Sequence, residues 1–180
     1  QMKWAPDADE GILVAGGNNR GDALNQLAYP HKINVHSSGD IYIADAGNGR
    51  IVKWSPGASE GVVVAGGNGH GNNLNQLHEP RGIFVTEDRK IFISEYYSNR
   101  VTLWKEGDKN GTIISKGRTD SPFNNPTGIF VDKLGNIYVS DMRNARVEKI
   151  NYYPELKINA GELTATFEIQ GIEELDYINE

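Results

Sequence analysis

The chain has 180 residues, 38% of them hydrophobic, with 21 Gly, 7 Pro and no Cys, a turn-rich composition that suits one globular domain or a domain plus a fragment. The missing Cys excludes a disulfide framework, a thiolate zinc site and a Cys nucleophile, and no run of about 18 apolar residues offers a membrane-spanning helix. The formal charge is −6, yet residues 1–150 hold 17 Lys+Arg against 17 Asp+Glu, so the excess sits in residues 151–180, where seven acids face Lys157 alone. A balanced body argues against nucleic acid as a partner, because phosphate binding needs a basic surface, and the charge shift marks a boundary near residue 150.

Gln1-Met2-Lys3-Trp4 leads straight into patterned sequence with no leader-like segment, as expected of a start that is trimmed or internal. From there the sequence repeats. Residues 14–30 read VAGGNNRGDALNQLAYP and residues 64–80 read VAGGNGHGNNLNQLHEP, identical at 11 of 17 positions. Trp4, Trp54 and Trp104 are spaced by 50, and Pro30, Pro80 and Pro126 by 50 and 46. After each Pro comes an apolar strand (KINVH 32–36, GIFVT 82–86, GIFVD 128–132), then a Gly-bearing or charged turn. A second strand (IYIAD 41–45, IFISE 91–95, IYVSD 137–141) and a third (RIVKW 50–54, RVTLW 100–104, RVEKI 146–150) follow. The fourth is GILVA 11–15, GVVVA 61–65 or GTIIS 111–115. These segments are rich in Val and Ile and bounded by turn residues, which reads as strand. Four antiparallel strands in units of 46–50 residues are the mark of propeller blades, so the fold class is all-β. The LNQL pieces supply at most single helical turns. Leu74 and Leu77 are expected to lie back onto the sheet, and Pro30, Pro80 and Pro126 to launch the innermost strands.

The core PTGIFVDKLGNIYVSDMRNARV (126–147) resembles the NHL repeat of β-propellers. PRGIFVTEDRKIFISEYYSNRV (80–101) departs at Glu95 and Ser98, where the repeat carries Asp and Asn, and PHKINVHSSGDIYIADAGNGRI (30–51) lacks the Gly after Pro. The resemblance covers about residues 1–150. It implies a propeller of NHL-type four-stranded blades but little about activity, since such propellers include scaffolds, RNA binders, sensor domains and a few enzymes. The expected parts are a half blade at 1–16 and blades at about 31–66, 81–116 and 127–158. That is about 3.5 blades where closed propellers have 4–8. Open sheet edges invite pairing, so the chain is expected to be a piece of a longer protein or to self-associate through its open propeller edges.

Asp45 with Arg50, Glu95 with Arg100 and Asp141 with Arg146 flank the turn between second and third strands. An acid and an Arg so placed can pair and also bond the turn backbone; a metal or substrate site is the alternative. Asn48 and Asn144 suit the turn because Asn tolerates positive φ.

Residues 155–180 form an acidic tail. Within it LTATFEIQG (163–171) alternates apolar and polar residues, the pattern of a half-buried strand. This stretch resembles the middle of a Calx-β or related immunoglobulin-like repeat. The resemblance implies the start of a separate module and, through Glu173, Glu174 and Asp176, a possible calcium site, although an incomplete module would bind calcium weakly because the ion takes 6–8 oxygens. The same strand could instead pack on the propeller's open end.

Two sets of loops reach one face of the disc: residues 16–30, 66–80 and 116–126, and residues 45–49, 95–99 and 141–145. Architecture cannot dictate residues that differ between repeats, so the candidate ligand-binding residues are Tyr29, His31, His78, Arg81, Tyr96, Tyr97, Arg118, Met142 and Arg143. Tyr96-Tyr97 leads the set, because adjacent aromatics in a turn leave at least one exposed and exposed Tyr is a common anchor for peptides and sugars. Catalysis finds little support. Zinc-dependent lyases with an NHL-type propeller hold metal with several channel His, whereas here only His31 follows a repeated Pro, and His36, His70 and His78 fall at a far strand end or in loops. Catalytic zinc needs about three convergent ligands, and no nucleophile elbow, H-E-x-x-H or phosphate loop is present. The expectation is therefore a non-catalytic binding or scaffold segment with no metal or cofactor, taking a protein, peptide or glycan on the loop face. By association with both families it belongs to a larger extracellular or surface protein. The alternative is part of a propeller hydrolase or lyase completed by further blades.

Overall fold

A computed structural model of the chain describes the backbone of residues 2–3 and all of residues 10–152; the Calx-β-like stretch and its possible calcium ligands lie outside the described residues. Among the described residues thirteen strands form four antiparallel sheets. β1 (Met2–Lys3) pairs with β2 (Ile12–Leu13) as a two-stranded half blade. The first blade runs β3 (Pro30–Val35), β4 (Ile41–Asp45), β5 (Arg50–Trp54) and β6 (Val62–Gly66) in sheet order. The second runs β7 (Pro80–Val85), β8 (Lys90–Glu95), β9 (Arg100–Lys105) and β10 (Thr112–Ser115). The third comprises β11 (Pro126–Val131), β12 (Ile137–Asp141) and β13 (Arg146–Ile150). The molecule is an incomplete all-β propeller, an open arc of meander blades.

Each blade begins the same way. Pro30, Pro80 and Pro126 open the inner strand opposite the acid that ends the second, and the register slips just after each Pro. Pro has no N–H to give a ladder, so the first strand position tolerates it. The residue before each Pro, namely Tyr29, Glu79 or Asn125, takes a positive φ of 47°, 54° or 56°. Glycine in the inner strand has a packing reason: a Cβ on Gly82 would stand 2.3 Å from the Thr127 carbonyl oxygen of the third blade.

The core lies in layers between neighbouring blades. Tyr42, Ile51 and Val64 of the first blade meet Ile83, Ile91, Ile93 and Trp104 of the second. Phe92 and Val101 of the second meet Ile129, Val131, Ile137 and Val139 of the third. Ala15 and Leu27 pack with Ile43, Val52 and Trp54 on the other side of the first blade. The connectors drop one anchor each into these layers: Leu77 and Phe123 are buried. Leu74, expected beside Leu77, is exposed instead; its carbonyl accepts the Gly111 N–H at 2.8 Å.

On the face of the strand-one to strand-two turns, polar side chains join the first two blades. Glu106 accepts Lys53 Nζ at 2.7 Å, Arg89 Nη1 at 3.2 Å and the Tyr42 hydroxyl. Arg89 Nη2 reaches Asp40 Oδ2 at 3.2 Å, and Ser55 and Ser38 hydroxyls donate to the same carboxylate at 2.6 and 2.8 Å. Those hydroxyls, Ser55 first, and Arg89 hold Asp40 below the usual carboxylate range. Burial opposes ionisation of Glu106, but hydrogen bonds from Lys53 and Tyr42, with the Lys53 charge and Arg89, hold its carboxyl low as well. Burial, then the bond to Glu106, pushes the Tyr42 hydroxyl up.

Candidate functional site

The acid–Arg pairs repeat one construction three times. Asp45 takes Arg50 Nε at 2.7 Å and the Ala28 N–H at 2.6 Å; Glu95 takes Arg100 Nε at 2.8 Å and the His78 N–H at 3.1 Å; Asp141 takes Arg146 Nε at 2.9 Å and the Asn124 N–H at 2.7 Å. The rest of each guanidinium holds the connector. Arg50 donates to the carbonyls of Asp22, Ala23 and Gln26, Arg100 to those of Asn72, Asn73 and Gln76, and Arg146 to the Ser121 carbonyl and hydroxyl. Every acid in these pairs is buried, and such a buried charge must be paired. Fully engaged in each blade, these groups hold the connectors in place.

The Gly-Asn stretch is knit in the same way. Gln26 Nε2 donates to the Asn18 carbonyl at 2.7 Å and Asn18 Nδ2 to the Asn25 carbonyl at 3.1 Å; Gln76 and Asn68 repeat this at 3.0 and 2.9 Å. The identical residues of the two copies are thus spent on the loop's own shape. Most of what differs between them, Arg20 against His70 for example, is exposed, with Ala28 the buried exception.

Those differing residues build a cleft of about 360 Å³ at the junction of the first and second blades, lined by Tyr29, His31, Ala46, Gly47, His70 and Glu79. Tyr29 is 63% exposed. The Arg20 guanidinium lies 4.8 Å from the Tyr29 ring centre and also donates to its hydroxyl. His70 Nε2 bonds the Gly47 carbonyl at 3.1 Å. Glu79 Oε1 accepts both Nε and Nη2 of Arg81, and the Arg81 guanidinium lies 3.4 Å from the Tyr96 ring centre. From His70 a run of rings continues: His78 at 5.7 Å, then Tyr97 at 5.1 Å, then Tyr96 at 5.0 Å from Tyr97.

The candidate residues therefore separate. Tyr29 and His31 share the cleft, while His78 and Tyr97 follow from His70 by ring contacts. Tyr97 is exposed and Tyr96 is not: at 8% exposure under Arg81 it supports the turn, which corrects its selection as a contact residue. Arg81 is likewise engaged, with Glu79 and Tyr96. Met142 and Arg143 are exposed on the corresponding turn of the third blade. Arg118 stands elsewhere, bonded to Asp120 at 3.0 and 3.1 Å beside a groove with Arg146, Glu148 and Lys149 along β13. Among the described residues no three His, Asp or Glu side chains converge on a metal-sized point. Sequence reasoning missed Glu79 and the Ala46-Gly47 floor. The signal was available: those two small residues stand where the other blades carry Tyr96-Tyr97 and Met142-Arg143.

The NHL repeat family model matches residues 27–54 and 123–150. No curated protein matches the chain. Among solved structures, an auxiliary nutrient binding protein from Bacteroides thetaiotaomicron VPI-5482 superposes with a TM-score of 0.56 at 17% identity, over 67% of this chain and 36% of its own. A protein of unknown function from the same organism gives 0.61 at 16% identity, over 79% and 40%. A catalytically inactive virginiamycin B lyase from Staphylococcus aureus gives 0.47 at 13% identity, over 77% and 44%, a likeness too slight to carry an argument. The chain spans about two fifths of the length of the structures it matches. Two segments of the chain match the NHL repeat, and the described residues fold as an incomplete β-propeller.

Proposed function

We propose that this propeller segment is a non-catalytic binding or scaffold module of a larger extracellular or surface protein, and that it takes a protein, peptide or glycan on its loop face at the junction of the first two blades. The observation that carries this reading is the cleft itself. Its exposed rings and His side chains come from positions that differ between repeats, whereas the identical positions are consumed by the fold. Exposed aromatics backed by fixed polar groups are the usual make-up of a recognition surface. A binding role is favoured over catalysis because the carboxylate nearest the cleft, Glu79, is already paired with Arg81, so it is poorly placed to shuttle protons.

The test is a screen of peptide and glycan arrays with the chain, followed by Tyr97→Ala and Tyr29→Asn. A retained ligand whose binding drops in at least one variant supports the reading. A ligand that binds both variants as tightly as the parent refutes it.

A further inference from the structure

We infer that the cleft between the first two blades is a subsite for a neutral, hydroxyl-rich ring, that is, one saccharide unit; this rests on the loop-face reading above. The space exists because Ala46 and Gly47 floor it where the second blade has Tyr96-Tyr97 and the third Met142-Arg143. A larger residue is barred at Gly47: its Cβ would stand 2.8 Å from the Ala28 carbonyl oxygen and 2.9 Å from Tyr29 Cδ2.

The wall is set in advance. Tyr29 holds a φ of 47° in the place where the third blade puts Asn125 at 56°. Asn enters that region readily, and a bulky aromatic does not. The architecture therefore accepts a cheaper residue, and strain retained without architectural need points to function. Arg20 stacked on the ring and bonded to its hydroxyl fixes the ring's orientation before any ligand arrives.

The polar groups of the lining narrow the ligand class. Glu79 and Arg81 neutralise each other, so neither an anion nor a cation finds an uncompensated partner in that pair. What remains is hydrogen-bonding capacity of the acceptor kind. Glu79 Oε1 is taken by Arg81, which leaves Oε2 without a hydrogen bond among the described residues. His70, whose Nε2 bonds the Gly47 carbonyl, stands beside it in the lining. His31 lines the same space. A ligand that offers several O–H donors and one C–H face to a tyrosine ring is a sugar.

The experiment is an NMR titration of the whole chain with neutral hexasaccharides of glucose, mannose and xylose, with arginine methyl ester and glucuronate as charged comparators, at low and high salt. At least one neutral saccharide is expected to shift the resonances of Tyr29, His31 and His70, with an affinity that salt leaves unchanged. Tyr29→Asn, which keeps a residue suited to that φ and so keeps the fold, is expected to weaken it about tenfold or more. Shifts at those residues only with a charged comparator, or with none of the saccharides, overturn the ligand class. The loop-face reading then still stands if an array ligand is lost in Tyr97→Ala, and falls with it if array ligands ignore both variants.

Discussion

The three acid–Arg pairs make a graded internal series for one chemical change. Glu95→Gln keeps the side chain's length but removes its charge and turns one acceptor into a donor. The new amide would then face the His78 N–H, now bonded to Glu95 at 3.1 Å, and the Arg100 guanidinium, only 4% exposed, would lose its counter-ion. Leaving a buried charge unpaired costs about 3–5 kcal/mol. Asp45→Asn leaves Arg50 at 7% exposure and belongs in the same range. Asp141→Asn is milder, because Arg146 is 26% exposed and Glu148 stands 2.9 Å from it as a second negative partner; about 1.5–3 kcal/mol is appropriate for a lost bond to a charged group near solvent. With about 2–4 °C per kcal/mol for a chain of this size, Glu95→Gln should lower the melting midpoint by about 6–20 °C and Asp141→Asn by about 3–12 °C. Thermal melts followed by circular dichroism measure the order. Hydrogen exchange at Gly111, whose N–H is bonded to the Leu74 carbonyl, reports whether the connector loosens when Arg100 loses its partner. If Asp141→Asn destabilises as much as Glu95→Gln, burial of the Arg does not set the cost and the reasoning is wrong.

Ala145 holds a φ of 50° where the first blade has Gly49 at 58°; Ala145→Gly should raise stability by about 0.5–1 kcal/mol, whereas Gly49→Ala should lower it by more, since its Cβ would meet the Leu77 carbonyl oxygen at 2.8 Å. Urea midpoints moving in the same direction for both would contradict this. Gly82→Ala should cost about 1–3 kcal/mol through its clash with Thr127, read in the same titration; a neutral result would mean that the inner strands separate freely. Asp40 and Glu106 have folded-state values below their unfolded ones, so the unfolded chain binds their protons more readily. Their contribution is complete above the ordinary values of about 3.9 and 4.3 and is lost as pH falls through the lower folded values. Glu106→Gln should therefore melt lower than the parent at neutral pH and converge with it in acid; melting curves that stay parallel down the pH series would count against the inter-blade network.

The strand rhythm and the acid–Arg pairs were legible because both are local. Alternation within a strand and a partner five residues away in sequence depend on one blade alone. Tyr96-Tyr97 shows where that legibility stops. Both rings look equivalent in the chain, yet Arg81 covers one and leaves the other to solvent. Leu74 is likewise exposed, and the turn it sits in is tied to Gly111, nearly 40 residues onward.

By itself the sequence determined the all-β class, the blade period, the Pro that launches each inner strand and the carboxylate that closes each second strand, since these follow from backbone geometry and nearest-neighbour chemistry. Only the tertiary structure decided that each Arg reaches into the preceding connector, that Asp40, Lys53, Arg89 and Glu106 meet between blades, and that Ala46-Gly47 opens a cleft beside Tyr29. The physical reason is that blades touch through side chains about 50 positions apart in sequence, and whether such residues meet depends on how one sheet packs on the next.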